Sequence, residues 1–188
     1  MLFQAYDIHL EQLTGVAERF CHALTEAGIS YRVVGGLAVF FHVKERDPLA
    51  ARLTKDVDLA VDRADLSRIV EAVRAIGLVH PHVAGVDMLV DAAEPKAKSA
   101  VHLVFVGEKV RPQYLESVPE FSQPTVTEEG IQLAGVADLV RMKLTSFRLR
   151  DKTHIADMDA VGLITPEVEA GLSDALRKRL EQVRGEEL

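Results

Sequence analysis

Two stretches carry the decisive pattern: Tyr31-Arg32-Val33-Val34-Gly35-Gly36-Leu37-Ala38 and, separated from Gly36 by 19 residues, Asp56-Val57-Asp58-Leu59-Ala60-Val61. Tyr31 to Val34 is a short run of β-favouring residues. It leads directly into two glycines and then into Leu37–Val43, an apolar segment that suits a helix. Glycines at such a corner let the backbone approach a phosphate, and the helix start offers free amide hydrogens and a positive dipole end. In the second stretch Val57, Leu59 and Val61 alternate with Asp56, Asp58 and Ala60, so a strand there presents both carboxylates on one side. Two such charges repel unless a cation lies between them, and hard carboxylate oxygens suit Mg²⁺ or Mn²⁺. A lone acid pair is more commonly the polar face of an edge strand, and two glycines are more commonly a turn. Their succession points to a metal–triphosphate site.

The rest of the chain frames these stretches. Residues 8–27 have apolar positions at three- and four-residue steps, which predicts a helix ending near Gly28. A charged loop containing Pro48 covers 44–54. Leu66, Ile69, Val70, Val73 and Ile76 form one apolar stripe of a further helix. Val83–Val90 and Ala100–Val106 read as strands that pair as a hairpin. Residues 107–130 are irregular, with a short strand pair over 125–133. From Gly135 the pattern is helical: one helix around Val136–Phe147, a second over about 151–161, and a last one from Pro166 through Leu172, Leu176 and Leu180. The fold class is α/β (α+β), a small mixed β-sheet core over 1–134 flanked by helices, with a helical C-terminal part over 135–188.

The chain has 188 residues, a hydrophobic share of 48% and a charged share of 27%, which fits a globular protein. A single cysteine, Cys21, excludes an internal disulfide and a cysteine-based metal cluster. The start lacks a basic segment followed by an apolar run, and no apolar stretch reaches the roughly 20 residues of a membrane span. A cytoplasmic protein without membrane attachment is expected. The net charge of −7 argues against broad affinity for nucleic acid. Positive charge is nonetheless clustered in Arg141, Lys143, Arg148, Arg150 and Lys152, either a solvated helix face or a local basic cleft.

The segments VVGGLAVFFH and RLTKDVDLAV resemble the glycine–glycine and acid–x–acid signature of the DNA polymerase β-like nucleotidyltransferase superfamily. The segment DLVRMKLTSFRLRDKTHIADMDAVGLI resembles the C-terminal block of its minimal, abortive-infection toxin-type (AbiEii/AbiGii-like) members. The resemblance spans roughly residues 28–165. It implies transfer of a nucleoside monophosphate from a nucleoside triphosphate, with Mg²⁺ or Mn²⁺ held by Asp56 and Asp58. It implies Gly35 and Gly36 against the triphosphate, and Lys143 on the phosphate or nucleobase. The acceptor it suggests is RNA or protein, with a toxin–antitoxin setting and a cognate antitoxin as partner, while a small-molecule acceptor stays open. Arg52, Thr54 and Lys55 flank the acid strand and read equally as phosphate contacts or solvated loop residues.

The resemblance departs at one position. A third carboxylate is expected on a later strand, but the matching segment, Ala100-Val101-His102-Leu103-Val104-Phe105, has His102 there. A neutral histidine can accept a proton or ligate a metal, yet it lacks the negative charge. Asp87, in Gly85-Val86-Asp87-Met88-Leu89, fits the same pattern and is the alternative third acid. Without it, the chain would bind nucleotide or a partner with little catalysis. Arg150 is a candidate for a triphosphate tail, and Asp151 and Asp157 read as structural partners of nearby bases.

Overall fold

The structure, a computed structural model, describes all residues except 1, 55, 84–85, 93–99 and 187–188. Its elements in chain order are α1 (Leu2–Glu26), β1 (Tyr31–Val34), α2 (Gly35–Arg46), β2 (Val57–Val61), a 3₁₀ turn (Arg63–Asp65) and α3 (Leu66–Arg74). Then follow β3 (Leu78–Val79), β4 (His82–Val83), β5 (Val86–Asp91), β6 (Val101–Phe105), β7 (Thr125–Val126) and β8 (Gln132–Leu133). The chain ends in α4 (Val136–Ser146), α5 (Leu149–Ala160), α6 (Pro166–Ala170) and α7 (Asp174–Gly185). The strands form one mixed sheet of order β3-β5-β6-β2-β1-β8-β7, with β4 pairing β5.

The central ladder places the chemistry. Antiparallel β1 and β2 pair Val34 with Asp58, and parallel β2 and β6 pair Asp58 with His102. One face of these strands is wholly apolar and buried: Val57, Leu59, Val61, Val101 and Leu103. Each such aliphatic side chain contributes roughly 1.5–3 kcal/mol when fully buried. That face fixes the register, because a one-residue slip would exchange it with the side bearing Asp58 and His102.

Several boundaries differ from the sequence reading. α1 extends back to Leu2, and α2 begins at Gly35 and runs to Arg46, so the charged segment 44–46 is helical. The stretch read as one strand over 83–90 is divided: His82–Val83 pairs back on Val86–Asp87. The expected β5–β6 hairpin is present, with Met88 opposite His102. The last helix is two helices, because Ser173 re-caps the chain by accepting a hydrogen bond from the Leu176 amide. Leu172 lies buried at the break.

The corner between α4 and α5 is tight. Phe147 adopts a left-handed conformation (φ 51°), unfavourable for a side-chain-bearing residue by roughly 1–2 kcal/mol. Lys152 and Arg179 stack on its ring, 4.7 and 4.6 Å from the centroid, and hold the turn. This corner sets Lys143 on α4 beside Asp151 on α5.

Candidate active site

Gly35 sits at φ +69°, in the left-handed region, where β1 turns into α2. A Cβ there would lie 2.8 Å from Asp58 Cγ and 3.0 Å from Asp58 Cβ. Both the backbone angle and the space therefore demand glycine, and its bare Cα lets the Asp58 carboxylate sit against the start of α2. Gly36 has a different job. It is buried, and a Cβ there would meet Thr54 Oγ1 at 2.6 Å and His154 Cε1 at 3.4 Å. It lets the acid-strand approach and α5 close on α2.

Asp58 Oδ1 lies 3.2 Å from His102 Nδ1. This hydrogen bond, with the charges of Asp58 and Asp56, raises the histidine pKa above its ordinary value, against an opposing burial effect. Asp56, immediately before β2, has Oδ2 3.3 Å from the Arg150 guanidinium. The two carboxylates and His102 thus form one polar group at the mouth of β2 and β6, flanked by Arg150.

Behind them lies a buried ion network. Asp151 is fully buried and bonds Lys143 Nζ at 3.2 Å, Arg148 Nε at 2.7 Å and Ser146 Oγ at 2.8 Å. Burial alone would raise the Asp151 pKa, but Arg148, Lys143 and Ser146 bring it down to about 2. Lys143, itself buried, has its pKa lowered chiefly by burial, against the pull of Asp151. Nearby, the His154 pKa is pushed down to about 4 by burial and by Lys143, and among the described residues its Nδ1 has no hydrogen-bond partner.

Gly35, Asp58, His102, Lys143, Arg148 and Asp151 line a cleft of 360 Å³; Asp56, Arg150 and His154 are not part of its lining. The loop 107–118 forms another wall through Lys109, Arg111 and Tyr114. The sequence offered no signal for that wall beyond irregularity, nor for Ser146 as a partner of Asp151.

Asp87 lines the same cleft from β5, while Thr54 and Arg52 do not. Asp87 lies opposite Leu103, one residue out of step with the Asp58–His102 pair. Neighbouring strand residues leave a sheet on opposite sides, so Asp87 does not join the acid pair through the ladder. It is held by His80 at 3.0 Å, His82 at 2.9 Å and Arg63 at 3.7 Å. In the ladder it is His102, not Asp87, that stands opposite Asp58. Thr54 is buried under Gly36 rather than set on the cleft wall. Arg52 pairs with Asp157 on α5 at 2.9 Å, so it is neither a phosphate contact nor an unpaired loop residue here. Lys55 lies outside the described residues.

Among the described residues no three His, Cys, Asp or Glu side chains form a ready metal cage. Two carboxylates still fit Mg²⁺ or Mn²⁺, since Mg²⁺ is commonly held by one or two carboxylates together with water and substrate phosphates. Among the described residues no helix is long and apolar enough to cross a membrane.

No family model matches the chain, and no curated protein sequence does. Solved structures do match. An antigenic nucleotidyltransferase-like protein from Paracoccidioides brasiliensis is 18% identical, with a TM-score of 0.61 over 93% of this chain and 88% of that one. The solution structure of the antibiotic-resistance factor ANT(2'')-Ia matches with 13% identity and a TM-score of 0.55 over 94% of this chain and 95% of that one. Its crystal structure in complex with adenylyl-2''-tobramycin gives the same identity and TM-score over 91% and 97%. The chain shares the fold of nucleotidyltransferases across nearly its whole length.

Proposed function

We propose that the protein transfers a nucleoside monophosphate from a nucleoside triphosphate to a hydroxyl-bearing acceptor, with Asp56 and Asp58 as the metal-binding pair. The observation that carries this reading is the packing of Gly35 against Asp58, with His102 bonded to the same carboxylate. A divalent cation bound there supplies charge neutralisation for the phosphates and polarises the α-phosphate. Arg150, Lys143 and Arg148 add positive charge for the polyphosphate. Asp58 accepts the Nδ1–H of His102, which leaves Nε2 as a proton acceptor. The acceptor oxygen bonds to the α-phosphorus, its proton passes to Nε2, and the bond to pyrophosphate breaks with its electron pair.

The resemblance to abortive-infection nucleotidyltransferases adds a toxin–antitoxin setting, tested by growth arrest on expression of wild type but not of Asp58→Ala. A second reading, nucleotide binding without appreciable transfer, is favoured by the placement of Asp87 out of step with the pair. One assay separates them: each labelled triphosphate with Mg²⁺ or Mn²⁺, total RNA, protein and small-molecule extract, comparing wild type with Asp56→Ala/Asp58→Ala. Transfer by wild type alone supports the enzyme. Metal-dependent binding without transfer supports the second reading, and neither outcome would sink both.

A further inference from the structure

The loop 107–118 is fastened at both ends and along one arm. Gly107 N–H donates to Val118 O and Val118 N–H to Glu108 O, both at 2.9 Å. Glu116 accepts from Arg141 on α4 at 3.2 Å and from Ser173, the cap of α7, at 2.7 Å. The loop therefore joins the end of β6 to the C-terminal helices as a fixed wall of the cleft. From it Lys109 and Arg111 line the cleft, exposed, and among the described residues neither has an ion pair or side-chain hydrogen bond.

The acids lining the same cleft are all engaged. Asp58 bonds His102, and Asp87 bonds His80 and His82. Glu108 pairs with Arg63, Glu116 with Arg141, and Asp151 with Lys143 and Arg148. Because the loop's own acids, Glu108 and Glu116, are paired with arginines, the uncompensated charge that the loop turns to the cleft is two cations, which locally favours an anion. A triphosphate at the acid pair has partners of its own: Arg150 bonds Asp56, and Lys143 and Arg148 both feel the charge of Asp58. Lys109 and Arg111 remain for the other substrate. The cleft volume of 360 Å³ is typical of a small-molecule site, and a chain of net charge −7 lacks the positive field for a nucleic-acid polymer.

From this we infer that the acceptor is a small molecule bearing an anionic group, a phosphate or carboxylate, gripped by Lys109 and Arg111 while its hydroxyl attacks the α-phosphorus. The inference rests on the nucleotidyltransferase reading. The test uses the full chain with Mg²⁺, labelled triphosphates and a small-molecule extract divided by ion exchange into anionic, neutral and cationic pools. Label is expected to move to the anionic pool alone. K109E/R111E is expected to cut that transfer about 100-fold, about tenfold per lost charge-assisted contact, with the KM for triphosphate within about twofold of wild type. Transfer to the neutral or cationic pool, transfer to RNA or protein alone, or a raised triphosphate KM in K109E/R111E overturns it. If no transfer occurs at all, the enzyme reading fails first, and a titration with inorganic phosphate followed by amide NMR shifts decides the anion site. Saturable shifts at Lys109 and Arg111, lost in K109E/R111E, keep that site; their absence removes it.

Discussion

Replacing Gly35 by alanine perturbs the site at its narrowest point. The left-handed backbone at φ +69° costs an alanine roughly 1–2 kcal/mol. The new methyl would also lie 2.8 Å from Asp58 Cγ and 3.0 Å from Asp58 Cβ, the first closer than real contacts and the second at their limit. Asp58 must then shift, which loosens its bond to His102, worth about 1 kcal/mol net, and adds a further overpacking penalty of about 1 kcal/mol or more. Gly35→Ala should therefore destabilise by about 3–5 kcal/mol. In an Asp58→Gly background the colliding atoms are gone, and only the backbone cost of roughly 1–2 kcal/mol remains. Urea unfolding of the four proteins, followed by far-UV circular dichroism, gives a coupling energy of about 2 kcal/mol if this account is right. Additivity within about 0.5 kcal/mol would show that the glycine is required by backbone angle alone and that Asp58 does not rest on it.

Four other outcomes follow from the same geometry. His154 has its pKa lowered to about 4, so the unfolded chain takes up a proton first as the pH falls. Its contribution to stability is full above about 6.5 and is lost on the way down to about 4, a difference near 3 kcal/mol at about 1.4 kcal/mol per unit; the melting difference between wild type and His154→Gln should change with pH across that window and not above it. Asp151→Ala leaves Lys143 buried without its partner and should cost about 3–5 kcal/mol in thermal or urea unfolding, while Asp151→Asn retains the shape and costs less. Asp87→Ala should leave Mg²⁺-dependent nucleotide binding within about twofold in calorimetry, whereas Asp58→Ala should weaken it at least about tenfold; equal losses would return Asp87 to the acid pair. His102→Asp would set a carboxylate directly opposite Asp58, lowering the melting point without Mg²⁺ by the cost of a like-charge cross-strand pair, up to about 1 kcal/mol. Added Mg²⁺ should raise that melting point more than it raises the wild type's, and an equal Mg²⁺ response would mean that position 102 does not face the metal.

What the sequence made legible was short-range. Strand β1, the glycine corner, strand β2 and the β5–β6 hairpin all rest on spacings within one element or across one turn, where period and residue type carry the information. The same reading put Asp56 and Asp58 together because alternation along a strand needs no partner to be seen. The two glycines were legible as a pair but not as two roles: only the positions of Asp58 and Thr54 separate the one that shelters a carboxylate from the one that admits a side chain. The place of Asp87 was illegible for a related reason. Its local pattern matched as well as that of His102, and the choice between them depends on a one-residue register between β5 and β6 that neither strand encodes alone.

Charge pairing explains the remainder. The basic cluster from Arg141 to Lys152 read as a single feature, yet its members divide: Arg141 ties down a loop, Lys143 and Arg148 are gathered by one buried carboxylate, and Arg150 meets Asp56. Which of them keeps charge to offer a ligand depends on partners that are 25 residues away for Arg141 and 94 away for Arg150. By the same logic the two cations that composition gave no reason to notice, Lys109 and Arg111, matter because the acids of their own loop, Glu108 and Glu116, are already paired with arginines. A site's preference for anion or cation is set by the charges left over after folding, and that remainder is fixed by tertiary pairing.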